Sequence, residues 1–361
     1  MRLLLLALCC VSAFAAERWR LEYFHDVQGE QLQLSAFALC SAQRGIATGV
    51  LAKDGKPKPT ALVTSDSGKS WNLIRIEEPG YELHFFDETN GWMLTESGIW
   101  FTDECGRSWK RVHKQRGLRA IHFTSPTHGF AVGANKAAIQ TEDGGKTWTP
   151  IKAVEDLKVT ADRTSFDTIT FLNAKVGIMA GRSRAPRRQD AIPLWMDAEP
   201  EKRRERPSMS ISLETKDGGS VWEPSGVSMF GRIAKIKILP SGAGMALIIF
   251  EDFFDFPSEV YELNGKTGGN ARVFRSENFA VTDILPGDTA YIGGFAPTGR
   301  MFWAPIPGRV QVSKSFDRKL WIPMDVDYRA VANRLIFAQT SAGIWAATDT
   351  GMVLKLVQDL P

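Results

Sequence analysis

The sequence predicts an all-β fold, a single β-propeller of four-stranded antiparallel blades, and three observations carry that prediction. A turn motif, Ser/Thr-x-Asp-x-Gly-x-x-Trp, recurs along the chain. Between its copies, short apolar runs of strand length alternate with runs that begin at glycine. The two ends of the chain carry complementary parts of the same repeat.

The N-terminus is set aside first. Arg2, the apolar run Leu3 to Phe14 and the small-residue pattern Ala13-Phe14-Ala15 read as a secretory signal peptide over residues 1–15, with the propeller over 16–361. Export to a periplasmic or extracellular compartment follows. No later run approaches the roughly 18 apolar residues of a membrane helix, so an integral membrane protein is not expected. Cys9 and Cys10 raise a lipid anchor as an alternative, but Leu8 is bulky where such sites want a small residue. Cys40 and Cys105 are too few for a disulfide framework and are expected as two buried thiols, with one disulfide the alternative. The chain carries 44 basic and 41 acidic residues, which excludes the charge excess of a nucleic-acid binder.

Four segments share one spacing: Thr64 to Trp71 with Asp66 and Gly68, Thr102 to Trp109 with Gly106, Thr141 to Trp148 with Asp143 and Gly145, and Thr215 to Trp222 with Asp217 and Gly219. Ser313 to Trp321 reads as a fifth, degenerate copy with Asp317 out of place. The residue types suit a tight hairpin. The hydroxyl and carboxylate bond backbone N–H groups, glycine accepts a positive φ, and the tryptophan buries a ring as the next strand begins. These residues are assigned to structure rather than chemistry.

The motif resembles the Asp-box of sialidases and related BNR-repeat propellers. The longer unit, Ile121-His122-Phe123, Gly129 to Gly133, Ala138 to Asp143 and then Trp148, resembles the repeats of the photosystem II stability and assembly factor family. That resemblance runs along nearly the whole mature chain. It implies a non-enzymatic scaffold that holds a newly made membrane-protein subunit.

With strands lettered A to D in each repeat, six blades run from about Gln33 to Glu78, Tyr81 to Lys114, Leu118 to Val154, Ser165 to Val227, Arg232 to Glu277 and Ala280 to Asp325. Leu335–Phe337, Ile344–Ala347 and Met352–Leu356 supply only A, B and C of a seventh. The N-terminal Arg18 to Tyr23 has the alternation and tryptophan of a D strand, so the ends are expected to pair and close the ring.

From the glycine opening strand B to the motif tryptophan, blades 2 and 3 span 18 and 19 residues, blade 1 spans 26 and blade 4 spans 45. The added length is assigned to B-to-C loops on the face opposite the boxes, which becomes the candidate working surface. The longest insertion, 182–208, carries Arg184, Arg187, Arg188, Trp195, Arg203 and Arg204, interspersed with acids. Beside it lie Phe253 and Phe254. Arginines around an aromatic anchor suit an acidic protein partner, such as a membrane-complex subunit.

Catalytic readings are weaker. The Phe-Arg-Ile-Pro motif of sialidases is absent, and the five tyrosines have no evident carboxylate partner. Glu251, Asp252 and Asp255 are the only clustered acids on the candidate face, which keeps a glycosidase or lectin as the alternative. His84 and His122 occupy equivalent strand A positions but have no third ligand, so no metal and no cofactor is expected.

Overall fold

A computed structural model describes residues 17–184, 196, 208–250, 256–264, 270–301, 304–305 and 308–358. Seven antiparallel sheets form the blades of a propeller. The innermost strands are Glu30–Leu39, Glu82–Phe85, Leu118–Phe123, Thr164–Phe171, Arg232–Ile238, Ala280–Leu285 and Leu335–Thr340, and each contacts the innermost strand of the next blade around one axis. Apolar strand faces meet between blades. One such layer joins Phe130, Phe171, Met179, Leu213 and Trp222 across blades 3 and 4. Between those blades lie single helical turns at Lys152–Glu155 and Ala161–Arg163.

The ring closes through its ends, as expected. Glu17–Phe24 lies antiparallel to Met352–Gln358, from Glu17 opposite Gln358 to Phe24 opposite Met352, and becomes strand D of blade 7. Its other edge pairs in parallel with Asp325–Val326 from blade 6, so the terminal strand is clasped on both sides. Trp19 is buried against Phe337, which ties this clasp to the innermost strand.

Four boxes share one turn geometry. The Thr64, Thr102, Thr141 and Thr215 hydroxyls accept hydrogen bonds from Gly68, Gly106, Gly145 and Gly219 N–H at 2.9, 3.0, 2.9 and 2.8 Å. Asp66, Asp143 and Asp217 accept from the backbone four residues on. Each box glycine lies against strand B of the preceding blade. A Cβ on Gly68 would fall 2.1 Å from Trp345, and one on Gly219 would fall 2.6 Å from Phe130. The boxes therefore clamp neighbouring blades together, and at Gly68 and Gly219 glycine is required by contact as well as by positive φ.

Four details differ from the sequence-based expectations. The extra length of blade 1 is not a loop: Gly45–Lys53 and Lys56–Thr64 are long strands joined by the two-residue turn Asp54-Gly55, with positive φ at both residues. The fifth box starts at Ser315 rather than Ser313 and is contracted by one residue, so Asp317 reaches Lys319 and Leu320 N–H at 2.8 and 2.9 Å. Trp222 is buried, but Trp71, Trp109 and Trp148 are half-buried at the equivalent position. Finally, Cys40 and Cys105 are not two thiols but one disulfide, with Cα atoms 6.0 Å apart, joining the A-to-B turn of blade 1 to the box of blade 2. That box has Glu104 where the others have aspartate.

Candidate binding site

In every blade, strand A leaves the face opposite the boxes and strand B returns to it, so the first residues of A and the last of B surround the axial opening there. A cavity of about 720 Å³ occupies this opening. Arg119 comes from blade 3, Arg182 and Arg184 from blade 4, Arg232, Lys235 and Lys237 from blade 5, and Arg334 from blade 7. Against these seven cations, the described lining residues include two carboxylates, Glu82 and Asp167.

Asp167 serves as a counter-ion. Arg119 is ion-paired with the nearly buried Asp167. A smaller chamber of about 260 Å³ deeper along the axis shares Lys235, Lys237 and Arg334 and adds Asp283. Asp283 is fully buried; its Oδ1 meets Lys235 Nζ at 3.0 Å and Lys237 Nζ at 2.9 Å, while Oδ2 accepts Phe337 N–H at 2.8 Å. Burial pushes this carboxyl up, but the two lysines outweigh it and hold the group at about 2. Glu82 goes the other way, raised by burial despite the nearby Lys235 and Arg334. Burial likewise lowers Lys235.

On the blade 2 and 3 side of the same cavity, the rings of His84 and His122 lie 4.7 Å apart. His84 Nε2 lies 3.0 Å from Phe123 N–H and 3.3 Å from the Phe123 carbonyl oxygen. Burial lowers His84 to about 4 and takes His122 well below its ordinary value, with the neighbouring His84 adding to the second shift. Both rings are therefore neutral at pH 7. No group of three or more metal-ligating side chains occurs among the described residues.

Of the candidate binding residues, Arg184 is exposed at the cavity mouth. Arg187, Arg188, Trp195, Arg203, Arg204, Phe253 and Phe254 lie outside the described residues, as do Glu251, Asp252 and Asp255. Arg119, Arg232, Lys235, Lys237 and Arg334 were missed. For Arg232, Lys235 and Lys237 a signal was present in Arg232-Ile-Ala-Lys-Ile-Lys-Ile238, an innermost strand that places cations where an apolar triplet is usual, but it does not extend to Arg119 or Arg334.

Residues 111–184 match the family model described as Photosynthesis system II assembly factor YCF48. The Photosystem II stability/assembly factor HCF136, chloroplastic, of Oryza sativa subsp. japonica is 24% identical over 231 residues, 61% of this chain and 47% of that protein. The match thus spans about half the length of that relative. The Photosystem II assembly lipoprotein Ycf48 of Trichormus variabilis is 42% identical over 55 residues, 15% of each chain. Among solved structures, YCF48 bound to a D1 peptide superposes over 96% of this chain and 100% of its own, with a TM-score of 0.59 and 13% identity. That likeness concerns the fold.

Proposed function

We propose that this chain, a photosystem II assembly factor-like BNR-repeat β-propeller, is a non-enzymatic exported scaffold that captures an acidic segment of a protein partner during assembly of an envelope membrane complex. The observation that carries this reading is the axial cavity, where seven cations from four blades surround an opening large enough for a short peptide. Cations fixed on rigid strands at one opening concentrate positive potential and steer an anionic ligand toward it. The solved relative bound to a D1 peptide supports a protein ligand. A paired-carboxylate mechanism is poorly served here, because Asp167 and Asp283 are each committed to cations. The relatives described as lipoproteins support export, and no helix among the described residues is long and apolar enough to cross a membrane. Cleavage after residue 15 and docking through Arg187, Arg188, Trp195, Arg203, Arg204, Phe253 and Phe254 belong to the same proposal.

The test is affinity capture from the native cell envelope, read by mass spectrometry, with the intact protein and an Arg184→Glu/Arg334→Glu variant. Enrichment of a membrane-complex subunit that the variant loses supports the scaffold. Equal capture by both proteins removes the axial site from the proposal. Capture of no protein would turn attention to glycans.

A further inference from the structure

The box turns form a second face, and one of them departs from the others in composition. The residue after the leading Ser/Thr is polar in four boxes, Ser65, Asp103, Glu142 and Lys216, but Phe316 in blade 6. Just before the tryptophan, blade 6 carries Leu320. Phe316 is 63% exposed and Leu320 is 64% exposed, with Ile322 beside them also exposed. The turn does not collapse onto these side chains because its own bonds hold it. Ser315 Oγ accepts Arg318 N–H at 2.9 Å, and Asp317 accepts the N–H groups of Lys319 and Leu320. Two large apolar side chains therefore project from a braced tip, flanked by the exposed Lys319.

The same tip lies where the N-terminal segment joins the ring. Lys314 Nζ sits 5.4 Å from the centre of the Phe316 ring and pairs with Glu17 Oε2 at 2.6 Å. Glu17 is the first residue of the propeller that the structure describes, and only Ala15 and Ala16 separate it from the end of the apolar run Leu3 to Phe14.

We infer that the blade 6 box turn is a membrane-surface contact: Phe316 and Leu320 enter the headgroup region of an anionic bilayer, and Lys319 meets lipid phosphates. Apolar side chains bordered by lysine are the composition of interfacial anchors, and cations near an anionic leaflet add to their binding. Before cleavage, the leader that carries the chain to a membrane joins it at this edge of the ring, next to Glu17. The box face then turns toward the bilayer and the basic axial opening turns away from it. The contact does not depend on what the axial cavity binds.

The test is flotation of the chain from Ala16 onward, which contains every strand of the closed ring, with vesicles of phosphatidylcholine carrying roughly one-third phosphatidylglycerol. Wild type is expected to float with these vesicles, less so at high salt. Phe316→Ser/Leu320→Ser should reduce the bound fraction about tenfold at an unchanged melting temperature. Val227→Ser, which changes an exposed valine on the outer strand of blade 4, should float as wild type. Failure of wild type to float, or equal flotation of the double variant, would overturn the inference. So would a dimer in light scattering that the double variant dissociates, since that result gives the patch to a second copy.

Discussion

Mild acid should destabilise this propeller through two neutral histidines, and the loss can be worked out for one of them. His84 stands at about 4 in the folded protein and near 6.5 when unfolded, so between those values the unfolded chain binds the extra proton. Stability is therefore intact above about pH 6.5 and falls as pH drops toward 4. From pH 7.5 to 5.5, His84 alone removes about 1.3 kcal/mol. His122 is shifted in the same direction and adds to the loss, over a window in which ordinary carboxylates barely titrate. Urea unfolding midpoints at pH 7.5 and 5.5 measure this directly. His84→Gln keeps an acceptor for Phe123 N–H but cannot take the proton, and should lose about 1.3 kcal/mol less than wild type over this range. If the variant and wild type lose equal stability over this range, burial of the pair is not what governs the acid response.

Two further outcomes concern the joints between blades. Trp222 is buried in edge-to-face contact with Phe130 and Phe171, so Trp222→Ala should cost about 3 to 5 kcal/mol in chemical denaturation, and an unchanged midpoint would count against the inter-blade core. Cys40→Ser should cost about 2 to 4 kcal/mol in the oxidised protein and nothing in the reduced one, because the bond spans 65 residues of chain. Equal melting temperatures for oxidised wild type and variant would place the joint's strength elsewhere.

The parts of the fold legible in the sequence were those that repeat. Thr141, Asp143, Gly145 and Trp148 encode one turn locally, and four copies of it set the blade spacing. The closure was legible because Trp19 and its alternating neighbours form a D strand with no blade of its own. Strand lengthening was not, because periodicity alone does not separate a long hairpin from a loop, and only Asp54-Gly55 marks the tight turn in blade 1. The disulfide was hidden for a different reason. Cys40 and Cys105 are distant in sequence and meet only when blades 1 and 2 pack side by side. The axial site was missed because its residues are spread over several blades, one to three per strand, and no local motif contains them.

That dispersal follows from how a propeller divides its labour. The boxes join blade to blade through glycine contacts such as Gly68 on Trp345, so their polar atoms are occupied within the turn: the Thr147 N–H and hydroxyl, helped by the Thr141 hydroxyl, hold Asp143 at about 2 against the opposing effect of burial. A group so engaged has little left for a ligand. At the other end of the same strands no such turn constrains the side chains, and successive blades can each contribute a cation to one opening. Asp283 shows what this arrangement demands: a carboxylate with no exposed surface placed between Lys235 and Lys237, so that like charges can stand close together without the ring giving way. Removing that carboxylate leaves two lysines facing one another around the inner chamber with their shared counter-charge gone, a change that destabilises a buried charge cluster.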